Sequence, residues 1–142
     1  MYANGKSIIL PSGEIVFGNE TIIPDGHFRW KEVTENLTRI PKNIAIEGRI
    51  YKTAHELEKV RRILGNKPMF INSWYRDGLA NGKIPGAASN SRHLFGDGVD
   101  FWCLHLSPKQ IYAELNQWHQ NGGLALYLKH VHIDWRGVKA RW

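Results

Sequence analysis

Three short segments of this sequence carry side chains of the kinds that bind metal ions or move protons. They are Ser73–Asp77, which reads Ser-Trp-Tyr-Arg-Asp, then Ser91–Asp100, and finally His130–Gly137. The second segment contains His93 and ends on an aspartate. Histidine and carboxylate side chains are common ligands of catalytic zinc, which takes three of them from the protein and leaves a fourth position for water. These segments are therefore the first place to look for a reactive site.

The spacing within the last two segments could assemble such a ligand set. Residues i and i+2 of a strand share a face, so His130 and His132 are expected to point the same way, with Asp134 beside them. His93, Asp100 and one of the two strand histidines would complete a set of three, because the glycines between His93 and Asp100 let the chain turn back. A second interpretation stays open from spacing alone, in which these histidines lie on a loop and on a solvated strand face.

The other unusual residues have simpler expected roles. Four histidines lack such neighbours and are expected to be surface or amphipathic-helix residues: His27, His55, His105 and His119. Four aromatic residues near the three segments could form a platform for a sugar or a peptide, or belong to the core: Trp74, Tyr75, Trp102 and Trp135. The single cysteine, Cys103, excludes an intrachain disulfide and is expected to be a small core residue.

Length and composition are those of one globular domain. The chain has 142 residues, of which 42% are hydrophobic and 23% charged, and 19 basic against 13 acidic residues give a net charge of +6. No apolar run approaches the ~20 residues that cross a bilayer, and the start shows no signal peptide. The positive charge predicts an anionic partner, either nucleic acid or an acidic wall polymer, and no nucleic-acid-reading motif is recognised.

Periodicity and turn residues predict the elements that must position these side chains. A hairpin is predicted over Ile8–Phe17, a helix over Phe28–Leu37, and a second helix from a capping box at Thr53–Glu56 to Gly65. Next come the predicted strand Pro68–Asn72, a long loop over Trp74–Asn90, the strand Gly98–Trp102, a helix from Ser107 to about His119, and the strands Leu124–Leu128 and Val131–Asp134. Helices first and strands later favour an α+β fold with a largely antiparallel sheet.

The motif order resembles a known enzyme family. Ser-x-His-x-x-Gly-x-x-x-Asp over Ser91–Asp100, followed by His-x-His-x-Asp over His130–Asp134, is similar to the zinc D-alanyl-D-alanine carboxypeptidases. These are VanY-like peptidoglycan metallopeptidases, related to the signalling domain of hedgehog proteins. Ser73–Arg76 and the Arg-Trp ending extend the resemblance, which runs from about Phe28 to Trp142. It implies one compact domain, with residues 1–27 as an N-terminal arm or hairpin and residues 28–142 as the zinc peptidase domain.

The resemblance also implies roles for individual residues. Arg76 would hold the terminal carboxylate of the substrate or the developing oxyanion, Ser91 would line the substrate side, and His130 would act next to the water. Lys129 stands where many relatives carry a Glu or Asp, so the similarity is to the subgroup with a histidine two positions before the last ligand. The implied ligands of one zinc ion are His93, Asp100 and His132.

The function implied is hydrolysis of peptidoglycan stem peptides at or near D-alanine. Two alternatives stay open: an L-alanyl-D-glutamate endopeptidase of the phage-lysin type, and a zinc-bearing binding module without turnover. The expected partner is the stem peptide, not nucleic acid, and the chain is expected to be a monomer acting at the cell wall or periplasm. A phage lysin, a virion component or a trimmed secreted module would each explain a start without a signal peptide.

Overall fold

The N-terminal hairpin is the first element of the computed structural model, which describes residues 6–142. Strands β1 (Ser7–Ile9) and β2 (Ile15–Phe17) pair antiparallel, which confirms the predicted hairpin. The backbone N and the hydroxyl of Ser12 at its turn both bind the Glu47 carboxylate, at 2.9 and 2.7 Å. The hairpin is thereby tied to the long helix over Ile44–Ile63, which carries Glu47. A domain boundary at residue 27 stays a prediction.

The helices differ from the sequence prediction in their bounds. Helix α1 (Trp30–Val33) is one turn long because residues 35–37 adopt positive φ angles of 50°, 59° and 68°, which a helix does not allow. Helix α2 (Ile44–Ile63) begins after Asn43, whose side chain accepts from the Ile46 backbone N at 2.9 Å. The predicted start at Thr53 was therefore wrong. Thr53 is a buried mid-helix residue.

A five-stranded sheet follows, built from the second half of the chain. Its strands are β3 (Met69–Ser73), β4 (Gly98–Cys103), β5 (Gly123–Leu126), β6 (Val131–Asp134) and β7 (Ala140–Arg141). The spatial order is β3-β4-β6-β5-β7, and every pair is antiparallel except β5–β7. This sheet with its helices confirms the predicted α+β class. Helix α4 (Pro108–Asn116) starts at the predicted Ser107 cap and ends three residues before His119.

The pleat of the sheet separates a core face from a face that carries polar side chains. Val99 and Phe101 of β4 are fully buried among the helices. Asp100 lies between them in sequence and points to the other face, where its partner in register is His132 of β6. Strand pairing therefore brings two of the three sequence segments into contact.

The long segment after β3 is less irregular than predicted. It contains the short helix α3 (Gly78–Gly82), and the Asn81 side chain donates to the Ala88 carbonyl at 2.9 Å. A 3-10 helix over Arg92–Phe95 follows, with Ser91 as its cap. No helix in the part of the chain that the structure describes is long and apolar enough to cross a membrane.

Candidate active site

Three side chains converge where the 3-10 helix approaches strands β4 and β6. The Nε2 atom of His93 lies 3.2 Å from the Asp100 carboxylate, and the Nδ1 atom of His132 lies 2.9 Å from its other oxygen. One ligand atom from each of the three lies within 4.8 Å of the others. The structure thus brings together the three residues that the sequence predicted as ligands.

In His93 and in His132, one ring nitrogen faces the Asp100 carboxylate and the other is hydrogen-bonded to the surrounding protein. His93 Nδ1 lies 2.7 Å from the Trp74 carbonyl oxygen, which can only accept, so this nitrogen carries the proton. His132 Nε2 lies 2.8 Å from a carboxylate oxygen of Asp134 in the same way. Metal-binding histidines are typically oriented through their outer nitrogen by such partners. Two imidazole nitrogens and one carboxylate fit a single zinc ion with a fourth position open.

The contacts between Asp100 and the two histidines favour the charged form of the carboxylate and that of His132. Burial by itself raises the pKa of Asp100, but hydrogen bonds from His132 and His93 outweigh it and hold that pKa well below its usual range. Burial likewise acts to lower the pKa of His132, and its bonds to Asp100 and Asp134 more than reverse this, so the pKa is raised. The carboxylate is therefore ionised, as a metal ligand must be.

Asp134 is the anchor of the β6 end of the site. Its fully buried carboxylate accepts from His132, from the Gly123 backbone N at 2.9 Å, and from Arg136 Nε and Nη2 at 2.9 and 2.7 Å. Burial acts to raise its pKa, but the bonds from Arg136 and His132 keep it far below the ordinary value. Asp134 therefore both orients the ring of His132 and pairs with Arg136.

We expect Asp134→Asn to weaken zinc binding by ~10–100-fold, because the neutral amide no longer supports the basicity of His132. Competition with a chromogenic chelator measures the Kd. Glu47→Gln is the matched control, since it also neutralises a buried carboxylate but only loosens the contact with Ser12. Equal zinc affinity in Asp134→Asn and wild-type protein would contradict the orienting role.

Arg76 lies beside the cluster at the end of β3. Its Nε donates to the Ser73 hydroxyl at 3.1 Å, and its Nη1 and Nη2 lie 3.4 Å from Asn81 and Asp100. Burial lowers the pKa of this guanidinium, while the charge of Asp100 acts to raise it. Three of its five N–H groups are used in this way. The other two are available to a molecule bound in the cleft that Arg76 lines.

His130 and Ser91 are also brought to the site, where both line its cleft. His130 lies one residue before β6, and its ring stacks on Tyr127 with centroids 4.7 Å apart and planes within 9°. The Ser91 hydroxyl oxygen accepts from the His93 backbone N at 3.3 Å, so Ser91 caps the 3-10 helix that carries His93. Its own O–H remains available to a bound molecule.

The cleft above these residues has a volume of about 670 Å³. It is lined by residues 84–88 of the long loop and by Tyr127 and Trp142. Trp142 Nε1 donates to the Tyr127 hydroxyl at 2.9 Å, and the Arg136 guanidinium lies 5.0 Å from the Trp142 ring. Tyr127 had not been identified from the sequence. Its position three residues before His130, across a tight turn, was the available signal.

The burial of several other side chains shows whether they lie where the sequence predicted. His119 was expected among surface or amphipathic-helix residues, but it is buried and its Nε2 lies 2.6 Å from the Asp134 carbonyl oxygen, which supports β6 from behind. Trp74 and Tyr75 are core residues, so they form no platform. Cys103 is buried, as predicted, and burial raises the pKa of its thiol. Trp102 is 39% exposed.

Comparison with known proteins agrees with this geometry. A family model described as Peptidase M15 matches residues 26–134. The chain is also similar to the zinc D-Ala-D-Ala carboxypeptidase of Streptomyces albus G, with 38% identity over 48 residues. That match covers 34% of this chain and 18% of the relative, so the chain spans only a small part of the relative's length. The family match covers most of the chain and confirms the resemblance and the class of zinc metallopeptidase; the chain belongs to the peptidase M15 family.

Proposed function

We propose that this chain is a zinc-dependent peptidase that hydrolyses peptidoglycan stem peptides at or near D-alanine, in the manner of a D-Ala-D-Ala carboxypeptidase. The observation that carries the proposal is the convergence of His93, Asp100 and His132 at the base of an open cleft, with Arg76 beside them. The name of the Streptomyces relative supports the choice of substrate.

The side chains at the base of the cleft have two proposed roles, binding the zinc ion and moving a proton. His93, Asp100 and His132 would hold one zinc ion, and all three line the cleft in which the scissile bond would lie. A bound zinc ion would act as a Lewis acid, lowering the pKa of a water to ~7 and polarising the peptide carbonyl. His130 then has its ring in the cleft, where a ring nitrogen can take or return a proton, and stacking on Tyr127 fixes the plane of that ring.

Arg76 is proposed to bind the terminal carboxylate of the substrate. A guanidinium presents a planar fork that matches a carboxylate in a bidentate fashion, which the point charge of lysine does not. Ser73 and Asn81 hold this fork in place from behind. Ser91 is proposed to donate its hydroxyl proton to the bound peptide.

Arg76→Lys is expected to lower kcat/KM on a peptide ending in D-Ala-D-Ala by about 100-fold, with zinc content unchanged, because the charge is kept but the fork is lost. The same peptide with an amidated end should be a poor substrate for both proteins. Arg39→Lys, which alters an arginine bonded to the Tyr75 carbonyl instead, is the control. Wild-type preference for the free carboxylate in Arg76→Lys would overturn this role, and loss of zinc would make Arg76 structural.

Product analysis of digested peptidoglycan tests the function itself. We expect mass spectrometry to show release of free D-alanine, stopped by a chelator and restored by zinc. Fragments cut after L-alanine would instead establish the L-alanyl-D-glutamate endopeptidase. No hydrolysis by zinc-loaded protein of either bond would favour the binding module.

The proposed function also implies where the protein acts and what it binds. A peptidoglycan substrate puts the site of action in the cell wall or periplasm. The net charge of +6 suits attraction to an anionic wall, and we expect a monomer that does not bind nucleic acid.

A further inference from the structure

A row of ring side chains crosses the polar face of the sheet. Following the strand order β3-β4-β6-β5-β7, the rings belong to Phe70, Trp102, His130, Tyr127 and Trp142, one from each strand or the residues flanking it. We call these five the aromatic row. Strand spacing is about 4.8 Å, so the row extends roughly 19 Å across the sheet.

The inner part of the row belongs to the cleft already described. His130, Tyr127 and Trp142 line that cleft and contact one another through the stacked rings and the indole hydrogen bond. Trp142 also lies 5.4 Å from the ring of His132, measured between centroids. This part of the row is therefore continuous with the proposed reaction site.

The outer part of the row lies outside the cleft and has no role in the proposed hydrolysis. Phe70 and Trp102 are partners in the β3–β4 register and stack with centroids 4.2 Å apart and planes within 20°. They are 40% and 39% exposed, whereas Phe101, which precedes Trp102 in β4 and points to the other face, is fully buried. Two large rings that face solvent side by side contribute little to the core.

Register connects the outer pair to the site. Trp102 is two residues beyond Asp100 on the same face of β4, roughly 7 Å along the strand. Phe101 pairs with Val131, so continuing the β4–β6 register by one position, past the end of β6, sets Trp102 opposite His130. Across the sheet from His130, the order of the strands then places Trp102 first and Phe70 next.

We propose that Phe70 and Trp102 form a subsite for a sugar ring of the glycan strand to which the bound stem peptide is attached. This inference rests on the proposed function, since a stem peptide in the cleft brings its own glycan with it. Pyranose rings present C–H faces that pack on aromatic rings, and an indole N–H can donate to an acetamide carbonyl. Neither member of the pair is charged, which suits N-acetylated sugars.

Sugar binding without hydrolysis tests the subsite directly. The zinc-loaded full chain is titrated with the tetrasaccharide of β-1,4-linked N-acetylglucosamine and followed by calorimetry. We expect Trp102→Ala to bind about tenfold more weakly, the size of one lost stacking contact, and Trp102→Tyr to bind nearly as wild type. Trp118→Ala is the matched control, because Trp118 is 37% exposed but follows α4 on the helix side. No binding by wild-type protein, or equal binding by Trp102→Ala, would overturn the proposal.

Hydrolysis provides an independent second readout. Trp102→Ala should cleave a free stem peptide at the wild-type rate and lose about tenfold in kcat/KM on the same peptide attached to glycan. If wild-type protein binds the sugar but cleaves neither substrate, the proposed function fails and the subsite stands. If it cleaves both substrates with no effect of Trp102→Ala, the subsite fails and the function stands. A dimer in sedimentation that Trp102→Ala abolishes, without sugar binding, would assign the pair to a second copy and overturn the subsite.

Discussion

His132→Ala should leave the protein without bound zinc and without measurable peptidase activity, a loss on the order of 10³-fold or more. The side chain supplies one of three proposed ligand atoms, and it also connects Asp100 to the anchoring carboxylate of Asp134. Its removal leaves two of the proposed ligands, so the zinc ion should be lost. The Lewis acidity of the ion is lost with it, and that is worth several kcal/mol at the transition state. Zinc content by plasma mass spectrometry, together with kcat/KM on a stem peptide, measures both losses.

The control for His132→Ala is His55→Ala, since His55 is exposed on α2. This variant should keep one equivalent of zinc and full activity. His93→Ala should behave as His132→Ala does, because His93 supplies another of the proposed ligand atoms, beside the other carboxylate oxygen of Asp100. If either ligand variant retained a full equivalent of zinc, the ligand set would be wrong. A circular dichroism spectrum like that of wild-type protein establishes that the variant still folds.

His130→Ala is expected to reduce kcat by ~10²–10⁴-fold while zinc content stays at one equivalent. The ring of His130 lies in the cleft but is not among the clustered side chains, so its loss removes the proposed proton-moving group and none of the proposed zinc ligands. Comparing kcat with KM separates this effect from weaker substrate binding. A larger change in KM than in kcat would point to a binding role.

Lys129→Ala is the matched control for His130→Ala, because it truncates the neighbouring residue of the same turn. Lys129 is exposed, so its truncation should leave the packing around the site intact. We expect wild-type kcat. An unaffected kcat in His130→Ala would mean that another group moves the proton.

Local patterns in the sequence predicted the site better than they predicted the helices. The sets Ser91–Asp100 and His130–Asp134 could be read as a metal site because alternation along a strand is a local property of the backbone. The start of α2 could not be read in the same way. Thr53-Ala-His-Glu satisfies the pattern of a capping box, but Asn43 caps a helix that runs through Thr53 and buries it. Packing against the core decided between two caps that are both acceptable locally.

By itself, the sequence determined which residue types were present and at which spacing. These features predicted the α+β class, and their resemblance to a known family indicated the family and the three proposed ligands. Tertiary structure alone decided what surrounds them. The Trp74 carbonyl that orients His93, the burial of His119 behind Asp134, and the stacking of His130 on Tyr127 all join residues through contacts that no motif encodes. Strand order did the same for Phe70 and Trp102, whose rings come together only because β3 and β4 are neighbours. The physical reason is that spacing reports which face a side chain takes within its own element, whereas register and packing determine which other side chains it meets there.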